Sequence, residues 1–257
     1  MPLPPIAELT AASGWHAVDC ISDLHLDAAH PATLQGLATY LGHTSADAVL
    51  ILGDLFEVWV GDDAIAEPGS FEAEVCALLR QASRQRALYF MHGNRDFLVG
   101  EGFAQATGIT LLTDPTLFTL GGQRWLLSHG DALCLDDMDY QRFRAMVRGS
   151  AWQARLLAQP LAARRAQARS IRSESEARKQ SGAAYGDVDS AVALAWLRAA
   201  QAPCLIHGHT HRPADHLLAP GITRLVLSDW DLDAAEQRAE VLRLSAQGAT
   251  RLPLDLA

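Results

Sequence analysis

Five short stretches of the 257-residue chain each place Asp, Asn or His directly after an apolar run. Val18-Asp19-Cys20-Ile21-Ser22 leads to Asp23-Leu24-His25, and Ala48-Val49-Leu50-Ile51-Leu52 leads to Gly53-Asp54. Leu88-Tyr89-Phe90-Met91 leads to His92-Gly93-Asn94-Arg95-Asp96, and Trp125-Leu126-Leu127-Ser128 leads to His129-Gly130-Asp131. Cys204-Leu205-Ile206 leads to His207-Gly208-His209-Thr210-His211. Singly such pieces are commonplace; together and in order they are a set of convergent titratable groups of the kind that marks a site. The donors are imidazole, carboxylate and amide oxygen. Without a thiolate among them a closed structural zinc site is disfavoured, and Mn²⁺, Fe²⁺, Zn²⁺ or Ni²⁺ suits them better than Mg²⁺. Asp23, His25, Asp54, Asn94, His129 and two of the late histidines are too many for one open metal and suit two. Two cations roughly 3.5–4 Å apart generate hydroxide at neutral pH and offset charge on phosphoryl oxygens, which is the chemistry of in-line displacement at phosphorus.

Strands must position these groups. The run 48–52 is too short for a buried helix and ends in glycine, so it reads as a strand covered on both faces. Its Asp54 then lies at the carboxyl end, where open α/β sheets keep their ligand sites. Apolar residues at 34, 37, 38 and 41 and a stretch over 70–83 have helical period, so strand and helix alternate to about residue 112, an α/β layered pattern. Beyond that, Phe118-Thr119-Leu120, Gly121-Gly122 and Arg124-Trp125-Leu126-Leu127 predict a hairpin, and further strands are expected over 223–227 and 240–244. The expected fold is two packed mixed sheets flanked by helices. Residues 1–15, rich in Pro and Ala, are expected to be a loose leader; 16–137 and 191–257 are expected to form the core.

Bulk properties narrow the function classes. With 49% hydrophobic residues the chain can bury a sizeable core, and a net charge of -9 argues against a nucleic-acid binder. Four scattered cysteines without a C-x-x-C pair suggest reduced, cytosolic thiols. The N-terminus has neither the basic start nor the apolar stretch of a secretion signal, and no apolar run approaches the length of a spanning helix. Residues 138–190 differ from the rest. From Arg142 to Lys179 there are ten Lys/Arg and two acids, a local excess of +8, interleaved with Phe143, Met146, Trp152, Leu156, Leu161 and Ile171. Pro160 should break this run into two helices or kink it. Charge alone leaves two readings open, a surface for anionic membranes or amphiphilic ligands and an ordinary helical hairpin with solvated arginines.

The ordered set Asp-x-His, Gly-Asp, Gly-Asn-Arg-Asp, His and Gly-His-x-His resembles the motifs of the calcineurin-like metallophosphoesterase superfamily. "ISDLHL", "LGDLFEVWVGDD", "HGNRDFLVG", "SHGDALCLDD" with "YQRFR", and "IHGHTHRP" are similar to a branch of it that acts on UDP-2,3-diacylglucosamine in lipid A biosynthesis. The likeness spans about residues 18–245. It implies the calcineurin-like fold with a helical cap inserted over 138–190. It also implies two Mn²⁺, one on Asp23, His25, Asp54 and His211, the other on Asp54, Asn94, His129 and His209. Alternation alone cannot choose among His207, His209 and His211; the family pattern selects the last two and leaves His207, like His92, a supporting or packing role. The implied reaction is attack of a metal-activated hydroxide on the α-phosphorus, giving UMP and 2,3-diacylglucosamine 1-phosphate, with Asp54, Asn94, Arg95 and His129 at the catalytic centre. Arg95 is the implied phosphate clamp, the alternative being a surface ion pair with Asp96. Substrate contacts are implied for Asn94, Arg95, His209 and Asp137, whose alternative role is a helix N-cap before Tyr140. In the cap, Ser175 (or Ser173) and Lys179 (or Ser181) are the implied contacts. Asp62 and Asp63 read as turn residues. The resemblance places the protein in the cytoplasm, peripheral on the cytoplasmic face of the inner membrane, with no nucleic-acid partner and no protein partner inferred. The competing readings are a phosphoesterase of lipid-free nucleotides or phosphoproteins, against which the apolar cap tells, and a non-catalytic scaffold, against which the full donor set tells.

Overall fold

The computed structural model describes residues 3–180 and 186–257, with side chains described outside residues 174–180. In chain order the first half holds β1 (Ala7–Thr10), β2 (Val18–Ile21), α1 (Pro31–His43), β3 (Ala48–Leu52), α2 (Phe71–Ser83), β4 (Ala87–Met91), α3 (Glu101–Thr107) and β5 (Thr110–Leu112). The hairpin β6 (Thr116–Leu120) and β7 (Gln123–Leu127) follows, then α4 (Met138–Val147), α5 (Ser150–Leu157), α6 (Leu161–Gln180) and α7 (Ser190–Ala200). Strands β8 (Cys204–His207), β9 (Ala214–Ala219), β10 (Ile222–Val226), β11 (Glu240–Ser245) and β12 (Gly248–Pro253) close the chain.

The strands form two six-stranded mixed sheets, ordered β1-β6-β7-β8-β10-β9 and β12-β11-β2-β3-β4-β5. Strand alternation explains how they stack. Val18, Cys20, Leu50 and Leu52 point inward and meet Phe118, Trp125, Leu127 and Ile206 of the facing sheet. Val49 and Ile51 point outward and pack with residues of α1, α2 and α3. The outer face of the other sheet, with Leu126 and Leu205, is covered by Trp196 and Leu197 of α7. Both sheets are therefore covered on both faces, which is why β3 reads as an unbroken apolar run. All four cysteines are free and buried, and they act as small apolar fillers.

Local signals match the elements they predict. Pro31 opens α1, and the Ser70 side chain caps α2 by accepting from Ala73 N at 3.1 Å. The hairpin turns on Gly121 and Gly122 with φ of 57° and 82°, and Leu120 pairs with Gln123, the geometry a two-residue turn demands. Pro160 separates α5 from α6 as predicted.

Two boundaries differ from the expectation. Residues 7–10, expected in a loose leader, form β1, which pairs parallel with β6 and packs Leu9 against the inter-sheet core. Residues 187 and 188, expected in the insertion, already belong to the core. Val188 is buried under α7, and Asp187 forms a two-pronged ion pair with Arg224 at 2.8 and 3.0 Å.

Asp19 is the one charged side chain on β2 that faces the helical layer, and it is fully buried. Arg243 of β11 holds both its oxygens, at 2.7 and 2.8 Å, and the Tyr40 and Thr44 hydroxyls donate to it at 2.7 and 3.0 Å. Removing the guanidinium strands a carboxylate in the interior. Arg243→Ala is expected to lower stability by about 3 kcal/mol, read as a shifted urea midpoint at unchanged slope.

Candidate metal centre and the cleft beside it

The five motif loops meet at one rim of the two sheets and are laced together through the backbone. Asp23 N donates to Gly53 O at 3.0 Å, His25 N to Asp54 O at 3.0 Å and Leu26 N to Leu55 O at 2.9 Å. Gly208 N reaches His129 O at 3.0 Å, His209 N reaches Asp23 Oδ2 at 2.9 Å, and Arg95 N reaches Asp54 Oδ1 at 2.8 Å. Asp96, fully buried, joins two of these loops by accepting from Leu55 N, Phe56 N and Gly93 N. Close approach requires glycine at two points. A Cβ on Gly93 would lie 2.0 Å from Asp54 Oδ1, and one on Gly208 would lie 2.1 Å from Asp23 Oδ2.

The backbone at this rim is strained. Asp23, His25, Asp54, His209 and His211 have φ of 55°, 47°, 51°, 67° and 52°, in the left-handed region that non-glycine residues rarely adopt. Among the described residues the only other case is Gln201, at the end of α7. Strain of this kind persists where surrounding contacts over-determine it, and it clusters at functional sites.

All seven expected ligands converge. His25 Nε2 and His211 Nε2 face each other at 3.2 Å, and His211 Nε2 is 3.3 Å from Asp23 Oδ1. His129 Nε2 and His209 Nδ1 face Asn94 Oδ1 at 3.0 and 2.7 Å. Asp54 Oδ2 lies between the two groups, 4.0 Å from His25 Nε2 and 3.8 Å from His129 Nε2. Two triads bring their donor atoms within 4.8 Å of one another: Asp23 with His25 and His211, and Asp23 with Asp54 and His129. Asp23 is therefore common to both triads, while Asp54 stands midway between the histidines.

The donor set fits cations on chemical grounds. His129 Nδ1 sits 2.9 Å from Leu52 O, which accepts a hydrogen bond from Nδ1–H and so, in the neutral imidazole, leaves the lone pair at Nε2, facing the Asn94 oxygen. Two acceptors at 3.0 Å need a proton or a metal ion between them. The titration behaviour says the same. Burial opposes a charge on His129, yet Asp54, Asp23 and Asp131 outweigh it and lift the imidazole to about 9, so a proton stands where a cation would. Burial, aided by the charge on His129, pushes His209 down to about 3, ready to act as a neutral ligand. Burial raises Asp23, but the hydrogen bond with His211 and the charges of His129, His211 and His25 outweigh it and hold the carboxyl well below its usual range.

The remaining site residues fall as follows. Arg95 does not pair with Asp96, which is turned inward; its Nη1 lies 3.5 Å from Glu57 Oε1. Asp137 caps α4, accepting from Tyr140 N at 3.0 Å. The side chains of Ser175 and Lys179 and all of Ser181 lie outside what is described, while Ser173 donates to Arg169 O on the same helix at 3.0 Å. His207, the last residue of β8, is buried with Nδ1 2.8 Å from Gly208 O, and His92 Nε2 is 2.7 Å from Val99 O. Asp62 is more than a turn residue, accepting from Trp59 Nε1, Gly100 N and Phe103 N.

Beside the metal centre a cleft of about 570 Å³, partly open to solvent, runs between the core and the helices α4–α6. Asn94 and Arg95 stand at its metal end, and Trp59, Phe97, Phe143, Trp152, Leu156 and Ile171 line it. Two anchors hold the helices over it. Buried Asp131 accepts from Tyr140 Oη at 2.6 Å and Arg144 Nε at 2.7 Å, and the Tyr140 ring stacks on His209 at 5.8 Å. At the other end Arg164, 2% exposed, donates to Val60 O and Gln159 O and pairs with Asp63. Sequence reading missed both anchors. Only the i, i+4 spacing of Tyr140 and Arg144 could have hinted at the first, by placing both on one helix face.

Residues 16–213 match the family model for calcineurin-like phosphoesterases, and the chain belongs to that family. Its kinship is also narrower. It is 48% identical over 217 residues to the UDP-2,3-diacylglucosamine hydrolase of Chromohalobacter salexigens, covering 82% of this chain and 87% of that one. It is 47% identical over 244 residues to the hydrolase of the same name from Chromobacterium violaceum, covering 93% and 99%. Against that of Xanthomonas axonopodis pv. citri the identity is 45% over 243 residues, covering 90% and 96%.

Protons and cations compete for the same imidazole nitrogens. Because His129 is raised to about 9, it is protonated below that pH in the metal-free protein and must give up its proton to bind a cation. Mn²⁺ affinity measured by calorimetry is expected to rise up to about tenfold per pH unit between pH 6.5 and 8.5 and to flatten above about 9. A flat profile over that range would contradict this assignment.

Proposed function

We propose that this chain hydrolyses the pyrophosphate bond of UDP-2,3-diacylglucosamine, giving UMP and 2,3-diacylglucosamine 1-phosphate. The observation that carries the reading is the placement of an aromatic-lined cleft directly against the paired donor groups. A nucleotide sugar bearing acyl chains needs a phosphoryl site and an apolar slot side by side, whereas a lipid-free phosphoester has no use for the slot. The names of the relatives supply the particular substrate.

Two Mn²⁺, when bound by Asp23, His25, Asp54 and His211 and by Asp54, Asn94, His129 and His209, would activate water and draw off the charge that gathers on the phosphoryl oxygens. The chain's own groups do the rest. Arg95 is the phosphate clamp: its guanidinium sits at the cleft mouth with a buried Nε that has no partner of its own. Asn94 and His209 flank the same point and orient the α-phosphoryl group. Trp152, Phe143 and Ile171 take the acyl chains and exclude water from them. Asp137, Ser175 and Lys179 are assigned to the sugar and its phosphate. Among the described residues no helix is long and apolar enough to cross a membrane. Met146 and Leu157, about half exposed on the helical segment among its arginines, support peripheral contact with the anionic cytoplasmic face of the inner membrane.

In heavy-oxygen water the label is expected in UMP, as attack at the α-phosphorus requires; label in the sugar phosphate would overturn that point of attack. Two variants separate binding from chemistry. Trp152→Ala is expected to raise KM for the acylated substrate about tenfold with kcat little changed. Arg95→Ala is expected to cut kcat about 100-fold while the protein still binds its cations.

A further inference from the structure

Glu57 follows Asp54 by three residues and has no part in the roles assigned above. Its carboxylate, 13% exposed, is shared among an imidazole and two guanidinium groups from three parts of the chain. Oε2 lies 2.9 Å from His25 Nδ1. Oε1 lies 3.3 Å from Arg172 Nε on α6 and 3.5 Å from Arg95 Nη1. The backbone holds it there: Glu57 N donates to Leu26 O at 3.1 Å, and Trp59 N donates to Arg95 O at 3.3 Å. One side chain thus touches a cation ligand, the phosphate clamp and the helical cap.

We propose that Glu57 is a positioning residue with two tasks, one for each oxygen. The first oxygen favours a proton on His25 Nδ1, which turns the Nε2 lone pair toward Asp23, Asp54 and His211 and makes it more basic. The second oxygen sits between two like charges at the cleft mouth, Arg95 and Arg172, and offsets their repulsion; Arg172 is also held by Asp27, 3.5 Å away. A phosphoryl group offers the arginines more negative charge and several oxygens where Glu57 offers one, so it displaces Glu57 from them. Glu57 is in this sense an internal stand-in for the substrate's phosphate. The inference rests on the paired-cation reading above.

The test uses the full chain, metal-free, with Mn²⁺ alone and inorganic phosphate alone as separate probes in calorimetry. In Glu57→Gln one of the two Mn²⁺ binding steps is expected to weaken roughly 10- to 100-fold while the other stays within about twofold. The variant is also expected to bind phosphate about tenfold more tightly, since Arg95 loses the carboxylate that competes for it. A merely structural residue would weaken both Mn²⁺ steps together and leave phosphate affinity unchanged or lower, and either result overturns the proposal. A wild-type protein that takes only one Mn²⁺ overturns the paired-cation reading instead. The phosphate arm, and the effect of the variant on that single ion, then still decide the role of Glu57. Should Glu57→Gln fail to fold, Glu57→Asp, which draws the carboxylate back by one methylene, is expected to show the same split in weaker form.

Discussion

Burying the carboxylates of Asp23 and Asp54 is costly unless positive charge and hydrogen-bond donors surround them, and the architecture of the rim answers that demand. Asp23 accepts from the Ser22 hydroxyl and from His209 N, Asp54 accepts from Arg95 N, and four imidazoles stand around the pair. Those donors come from loops far apart in sequence. They can be assembled only if the strands before them end at one edge, and two stacked sheets with parallel β2-β3-β4 and β7-β8-β10 provide that edge. The local cost is visible in the left-handed backbone of five of the seven candidate ligands. The inter-sheet core and the covering helices are what hold those residues in place.

The helical segment is joined to this rim by charge as well as by apolar packing. Asp131 follows the candidate ligand His129 by two residues, and it fastens α4 so that Tyr140 braces His209. Arg148, which caps the C-terminus of that helix, donates to Gly93 O, one residue before Asn94. The cleft and the metal centre therefore share a wall, and a change in the helices reaches the ligands through short paths.

Much of this was legible in the sequence because it rests on short-range signals. Apolar runs ended by Gly and an acid mark strand ends, Gly121-Gly122 marks a hairpin, and Pro160 marks a break. The five motifs together indicate a site that no single one does. What escaped depends on tertiary proximity or on weak local signals. Strand β1 is four residues long at a sheet edge after a Pro-rich start, and only the pairing with β6 defines it. Glu57 looks like any acid in an apolar stretch until His25, Arg95 and Arg172 are brought around it. Asp62 reads as a turn residue because the groups it binds, Gly100 N and Phe103 N, lie about forty positions away. Asp187 sits in a polar stretch, and its allegiance to the core is set by Arg224 on a strand that comes later.

Arg164 has a mechanical consequence. Its guanidinium is sealed from water and fully engaged with Val60 O, Gln159 O and Asp63, so freeing it would expose a buried charge and several orphaned acceptors. The far end of the cleft is in effect riveted, its wall held by buried polar contacts as well as by packing. On the proposed lipid reading such a slot would work as a ruler: an aliphatic tail too long for it would have to bend or protrude at the mouth.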